Sequence, residues 1–125
     1  MAKEKKNSTA EILIESIVEG INEVKGEEVA VLDMRKLKHS VADFFIVCHG
    51  NSNTQVNAIA RSVEAFTEKE AHESPWHVEG RTNGEWVLMD YGNVVVHIFH
   101  KDAREHYALE DLWADAEVRL VENRA

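Results

Sequence analysis

The chain has 125 residues, which is enough for one hydrophobic core and predicts a single domain. Hydrophobic residues make up 44% and charged residues 30%, a balance that excludes global disorder. The formal net charge is −9, so most of the surface should repel nucleic acid, whose binding proteins normally carry basic patches. Little direct contact with nucleic acid is therefore expected.

Cysteine use and the polar start of the chain indicate a cytoplasmic protein. Cys48 is the only cysteine, so no internal disulfide can form, which fits a reducing compartment. No apolar run approaches the roughly 20 residues of a membrane helix, and no signal peptide is expected. Residues 1–7 contain lysines that could form a basic arm for RNA, but a flexible, solvated arm is the simpler prediction.

Three helices are predicted from capping-box spacing, in which one side chain accepts an early helical N–H and a second reaches back. The capping pairs are Ser8 with Glu11, Ser52 with Gln55, and Asp102 with Glu105. The helices run from about Thr9 to Lys25, from about Asn53 to Ala71, and from Ala103 to about Glu117 as two short pieces. Gly26 is the expected stop of the first helix. The residues predicted to face inward are Leu13, Ile17, Ile21, Val24, Val56, Ile59, Ala60, Val63, Phe66, Tyr107, Leu109, Leu112 and Trp113.

Strand signals lie between the helices. The predicted strands are Glu28–Asp33, Asp43–His49, Trp76–Glu79, Glu85–Asp90 and Asn93–His100, the last two forming a hairpin around Tyr91 and Gly92. This order predicts an α/β fold, a mixed sheet of about five strands with helices packed mainly on one face. The domain is expected to span residues 8–117, between the arm at 1–7 and a C-terminal tail at 118–125.

Side-chain alternation sorts the strands into two faces, provided that the hairpin loop has an even number of residues. The dry face is almost wholly apolar and should lie under the helices: Phe44, Ile46, Cys48, Val87, Met89, Tyr91, Val94, Val96 and Ile98. The mixed face combines aromatic, aliphatic, acidic and imidazole groups: Asp43, Phe45, Val47, His49, Trp86, Leu88, Asp90, Val95, His97 and Phe99. The mixed face suits protein recognition. Alternatively, Trp86 and Phe99 fill a second small core under the loops.

Metal and nucleophile chemistry find little support in the pattern. His97 and His100 should point to opposite sides of a strand, and His72 and His77 straddle Pro75. Neither pair has the spacing of a structural zinc site, so no metal and no cofactor are expected. Cys48 should be an inert core thiol, because its neighbour on the strand faces the other way.

The segment Gly50, Asn51, Ser52 and Asn53 follows a strand and opens a helix, which is where backbone N–H groups often hold phosphate. No Walker lysine or repeated glycine pattern accompanies it. A strand-to-helix turn with Ser52 as the cap is the structural alternative. Metal-dependent phosphoryl transfer would also need paired carboxylates, and the strand Asn93–His100 offers valine and isoleucine at most such positions.

A family resemblance covers the chain from about Ser8 to Ala116. It rests on Val41–Cys48, Gly50–Val56, Glu79-Gly80, Gly84–Gly92, Val94–Phe99, Arg104, Tyr107, Leu109-Glu110, Leu112-Trp113 and Asp115-Ala116. In this order and spacing they resemble the Iojap-like ribosomal silencing factors. The resemblance implies a fold related to the nucleotidyltransferases without their catalytic carboxylates, and hence a protein that is not an enzyme.

The same resemblance implies a partner and a site. Such factors bind the large ribosomal subunit through its ribosomal protein number fourteen, block association with the small subunit when nutrients run short, and often form homodimers when free. Docking is expected at Glu79, Trp86, Leu88 and Asp90, with His97 supporting Trp86 from the neighbouring strand. Two alternatives stay open: a large-subunit assembly factor at the same site, and a residual nucleotide-binding enzyme that uses Gly50 to Asn53.

Overall fold

The computed structural model of the chain describes residues 2–37, 42–107 and 116–121, with the backbone alone for residues 2–9, 107 and 120. The elements are α1 (Ala2–Glu23), β1 (Glu27–Asp33), β2 (Phe44–Gly50), α2 (Asn53–Phe66) with a π-helical extension (Thr67–Ala71), β3 (His77–Glu79), β4 (Trp86–Asp90), β5 (Val94–His100), α3 (Lys101–Tyr107) and β6 (Glu117–Leu120). The five predicted strands are confirmed to within one residue at each end.

The described strands form one mixed sheet in the order β3-β4-β5-β2-β1-β6. Its central pair, β2 and β5, is parallel, and the other pairs are antiparallel. The sheet has six strands rather than about five, because β6 pairs with β1 and places Val118 opposite Leu32. Part of the predicted tail therefore lies in the sheet. Its four residues alternate charged and apolar side chains, a signal too short to separate from a tail.

The hairpin between β4 and β5 confirms the sorting of side chains. Asp90 pairs with Val95, and the N–H of Tyr91 donates to the carbonyl of Val94 at 2.9 Å, so the loop has an even number of residues. Gly92 adopts a φ of +92°, which a two-residue hairpin loop requires and which glycine accepts without strain. The dry and mixed faces therefore contain the residues assigned to them from the sequence.

The dry face carries the main core. Helices α1 and α2 pack on it and on each other, as predicted for the principal helices. At their crossing, a Cβ on Gly20 would lie 2.8 Å from the Cα of Val63, so only glycine permits this close approach. The fully buried side chains beneath the helices include Leu13, Ile17, Ile21, Ile46, Val56, Ile59, Val63, Val87, Met89, Val96 and Ile98.

The ends of α1 differ from the prediction. The helix begins at Ala2, so the expected start after Ser8 is wrong; the residues before Ser8 are mostly good helix formers, which lets the helix extend upstream. The helix ends at Glu23, and the left-handed residue beyond it is Lys25, with a φ of 61°. Gly26 is needed for a different reason, because a Cβ there would lie 2.3 Å from Cγ2 of Ile21.

The second helix is confirmed, including its cap. The Ser52 hydroxyl accepts the N–H of Gln55 at 3.0 Å. Phe66 was predicted to face inward but is only half-buried, and Thr67 is fully buried in its place. The π-helical turn that begins at Thr67 shifts the inward-facing register, which a regular 3.6-residue period does not anticipate.

The third helical region is shorter than predicted within the described residues. Helix α3 begins directly after β5, and the N–H of Asp102 donates to His100 Nδ1 at 3.2 Å, so His100 rather than Asp102 is the cap. Glu117 opens β6 and is not helical. The predicted anchors Leu109, Leu112 and Trp113 lie outside the described residues, as does the side chain of Tyr107.

Candidate docking face

The mixed face gathers the site residues predicted from the sequence. The strand register places Glu79 opposite Leu88, and Leu88 opposite His97. In the next row, His77 of β3 lies opposite Asp90, and in the other direction Trp86 lies opposite Phe99. The five predicted partner-binding residues therefore share one side of three neighbouring strands, and β3 adds His77 to them.

Trp86 is held in place by its neighbours on β5. Its indole Nε1–H donates to His97 Nδ1 at 3.1 Å, and its ring stacks on Phe99 with centroids 5.0 Å apart. The side chain stays half-buried, so part of the indole faces outward from a fixed position. A rigid aromatic group with an exposed portion loses little conformational entropy on binding, which is typical of an interface anchor.

A small second core lies beneath Trp86. It contains Ala30, Leu32, Met34, Val47 and Phe99, with Phe45, Trp86 and Ala103 packed against it. The alternative prediction that Phe99 and Trp86 fill such a core is therefore confirmed for Phe99, which is fully buried, and partly for Trp86. Protein recognition by this face stays a prediction, and it is compatible with the second core, because that core buries the Phe99 ring and leaves part of Trp86 exposed.

His97 is a neutral imidazole with one atom unsatisfied. Burial lowers its pKa to about 4 from an ordinary value of 6.5. The imidazole meets the Phe45 ring edge to face, with the two ring centroids 4.8 Å apart. Since Nδ1 accepts from Trp86, the proton of the neutral ring sits on Nε2. That Nε2 atom is buried and has no hydrogen-bond partner within the described residues. Such an unpaired donor costs about 1–3 kcal/mol.

The two predicted acidic residues differ in how their carboxylates are hydrogen-bonded. Asp90 Oδ1 accepts the N–H of Gly92 at 2.7 Å, so one of its oxygens closes the hairpin turn. Glu79 is exposed at the edge of the sheet, and its Oε1 accepts from His77 Nε2 at 2.8 Å. The sequence pattern did not assign His77 to this surface, because a short strand after Pro75 carries a weak signal.

At the far end of β2, His49 joins a clamp that the sequence did not indicate. Arg104 of α3 donates to His49 Nδ1 at 3.0 Å and to the carbonyl of Glu28 at 2.8 Å. Glu28 lies at the irregular start of β1, with a φ of 48°. Burial, and then the guanidinium of Arg104, lower the pKa of His49, so its ring is neutral. The clamp ties α3 to β1 and β2.

The turn of Gly50 to Asn53 is already engaged in internal hydrogen bonds. Gln55 Oε1 accepts the N–H of Asn51 at 2.7 Å, and Ser52 Oγ accepts that of Gln55. The Asn51 amide also donates to a carboxylate oxygen of Glu27 at 2.6 Å, which places negative charge beside the turn. These contacts give the turn a structural role, while phosphate binding stays a prediction.

Other chemistry has few candidates in the part of the chain that the structure describes. No group of three or more His, Cys, Asp or Glu residues there could hold a metal ion. Burial raises the pKa of the Cys48 thiol to about 12, so the thiolate needed for nucleophilic attack is not formed at neutral pH. No described helix is both long and apolar enough to cross a membrane.

Comparison with known proteins identifies a family that the chain matches. The family described as "Ribosomal silencing factor during starvation" matches residues 6–125. The ribosomal silencing factor of Halalkalibacterium halodurans is 43% identical over 104 residues, covering 83% of this chain and 87% of that protein. The silencing factor of Bacillus subtilis is 46% identical over 92 residues, covering 74% and 76%.

A more distant relative and a solved structure agree. The maize chloroplast protein Iojap is 33% identical over 102 residues, covering 81% of this chain and 43% of its own length. A crystal structure from Chromobacterium violaceum superimposes with a TM-score of 0.73 at 34% identity, covering 94% of this chain and 93% of the other. The resemblance to Iojap-like proteins is therefore confirmed.

The sheet has one dry face under the helices and one face that carries aromatic and acidic side chains, which defines a small mixed α/β protein. The relatives that share it are named as silencing factors and not as enzymes. The chain belongs to the ribosomal silencing factor family.

Proposed function

We propose that this protein binds the large ribosomal subunit through ribosomal protein number fourteen and sterically blocks association with the small subunit. The observation that carries the proposal is the anchored indole of Trp86, stacked on Phe99 and hydrogen-bonded to His97. An indole held this way, with carboxylates at Asp90 and Glu79 on the same face, combines an apolar anchor with acidic flanks.

The charge of the chain favours a basic protein as the contacted component. With a net charge of −9, most surfaces repel the phosphates of ribosomal RNA. Glu79 and Asp90 offer carboxylates to lysine or arginine side chains beside the apolar anchor. Contact with a basic ribosomal protein therefore gains both electrostatic attraction and burial of an aromatic group.

Inhibition by occlusion needs no catalytic step. A bound factor that covers the surface where the subunits meet represses translation in the cytoplasm by its volume alone. The family description names starvation, which supports action under nutrient limitation. The free protein is proposed to be a homodimer.

The alternative of a large-subunit assembly factor uses the same contact, and nucleotide binding at Gly50 to Asn53 would require displacement of the internal hydrogen bonds there.

Sucrose-gradient co-sedimentation tests the proposal. The purified protein is layered with isolated large subunits, small subunits or both. We expect it to travel with the large subunits only and to lower the fraction of assembled ribosomes when small subunits are added. A protein that stays at the top of every gradient would contradict the proposal. Normal assembly of ribosomes with the factor still bound would instead favour the assembly alternative.

Trp86→Ala is the variant that locates the contact. Removal of a central aromatic anchor costs at least about 2 kcal/mol of binding, so we expect affinity for large subunits to fall about thirtyfold or more. The matched control is Trp76→Ala, because Trp76 is 79% exposed and contacts Gly92 of the hairpin turn instead of the mixed-face core. Equal binding by both variants and the wild type would rule out Trp86 as the anchor.

A further inference from the structure

His77 occupies a position on the docking face that neither the sequence pattern nor the family names explain. It is the first residue of β3, the strand at one open edge of the sheet. Its register partner on β4 is Asp90, and Glu79 follows two residues later on the same side of the strand. An imidazole therefore lies beside both carboxylates that are proposed to meet a basic partner.

The contact between His77 and Glu79 is short and exposed. His77 Nε2 lies 2.8 Å from Glu79 Oε1, and the two side chains are 59% and 64% exposed. A carboxylate can only accept, so the imidazole must carry its proton on Nε2 and donate it. A pair this exposed adds little to the stability of the fold. Its effect is on orientation, since the hydrogen bond holds the Glu79 side chain, which would otherwise rotate freely.

The charge of the acidic cluster depends on this imidazole. Histidine ordinarily changes charge between about pH 5 and pH 8. The charged residues that the strand register places next to His77 are Glu79 on its own strand and Asp90 on β4, and the next residue of that row, on β5, is the apolar Val95. Protonation would cancel one of the two negative charges. His97, which lies on the same face, stays neutral because burial lowers its pKa to about 4.

We propose that His77 is a positioning residue of the docking face, which orients Glu79 toward a basic partner while neutral and weakens docking when protonated. The inference rests on the proposed function, because it refines the surface assigned there. It makes the face selective for a partner whose lysine or arginine can take over the Glu79 carboxylate from a neutral imidazole. It also makes docking depend on pH. His97 does not add to this dependence, because burial keeps its ring neutral.

The test measures the affinity of the full chain for purified large ribosomal subunits at pH 7.5 and pH 6.0. His77→Gln keeps an N–H donor for Glu79 and cannot gain charge, whereas His77→Ala removes both properties. For the wild type, we expect binding to weaken about twofold to fivefold at the lower pH, the scale of one exposed charge pair. His77→Gln should match the wild type at pH 7.5 and lose the difference between the two pH values. His77→Ala should be weaker at pH 7.5 by a similar factor.

His106→Gln is the control, since His106 is an exposed histidine on α3 and lies outside the docking face. It should keep the wild-type dependence on pH, and circular dichroism should show that every variant is folded. Wild-type pH dependence in His77→Gln, together with wild-type affinity of His77→Ala at pH 7.5, would overturn this inference alone. Absence of wild-type binding at both pH values would overturn the proposed function together with it.

Discussion

On β5, Ile98 lies on the dry face under the helices, whereas His97 and Phe99, its neighbours in sequence, lie on the mixed face. All three side chains are buried, yet their surroundings differ. Ile98 belongs to the large apolar core. His97 lies in an aromatic layer, where it accepts a hydrogen bond from Trp86 and its buried Nε2 finds no partner among the residues that the structure describes. The comparison shows that burial alone does not distinguish residues of the main core from residues of the face proposed to bind a partner.

The dry face should respond to substitution through stability alone. Ile98→Ala removes a fully buried side chain from the main core, and such changes cost about 2–5 kcal/mol, the largest effect expected here. Urea unfolding followed by circular dichroism measures the loss. Affinity for large subunits, corrected for the unfolded fraction, should stay at the wild-type value. A folded Ile98→Ala protein with weakened binding would show that the two faces are coupled.

The mixed face should respond to acid through His97. Its folded pKa of about 4 lies below the ordinary 6.5, so the unfolded chain takes up the proton first as pH falls. The contribution of the neutral His97 ring to the free energy of unfolding is therefore complete above about pH 6.5 and is lost as pH falls toward 4. At pH 5 the loss should be about 2 kcal/mol relative to pH 7.5.

His97→Gln isolates this contribution, because glutamine fills a similar space and does not titrate. Urea unfolding at pH 7.5 and pH 5 should show a smaller acid loss in the variant than in the wild type. The lowered pKa of His49 acts in the same direction in both proteins and so leaves the difference between them unchanged. An identical acid loss in both proteins would mean that His97 is accessible to protons in the folded state.

Much of the fold follows from local pattern, and the misses have physical causes. Alternation with an even hairpin loop separates the faces at Val87 and Leu88 because strand geometry has a period of two. The sixth strand escapes prediction because Val118 and its neighbours gain their structure by pairing with β1, some 85 residues earlier, and not from local propensity. The π-helical turn at Thr67 is likewise stabilised by tertiary contact, through its hydroxyl and Tyr91.

The candidate site divides in the same way. Trp86 and His97 can be paired from the sequence, because neighbouring hairpin strands bring their side chains together once the loop length is known. The role proposed for His77 depends on the register of β3 against β4, which a three-residue strand does not encode by itself. The clamp of Arg104 on His49 joins segments distant in the chain, so only the folded arrangement reveals it.

The smallest expected effect separates the structural role of Trp86 from its proposed role in docking. Trp86→Phe keeps an aromatic ring to stack on Phe99 and removes the Nε1–H that His97 accepts. The free energy of unfolding should fall by about 1 kcal/mol, the scale of one hydrogen bond whose buried partner is left unpaired. Affinity for large subunits should fall less than for Trp86→Ala, because an anchor ring remains.

Unfolding and co-sedimentation on the same samples make the comparison. If Trp86→Phe binds as poorly as Trp86→Ala, the indole N–H and its bond to His97 set the anchor, and ring burial is secondary. If it binds like the wild type, the contact is apolar, and His97 serves this face chiefly by filling the layer beneath the ring.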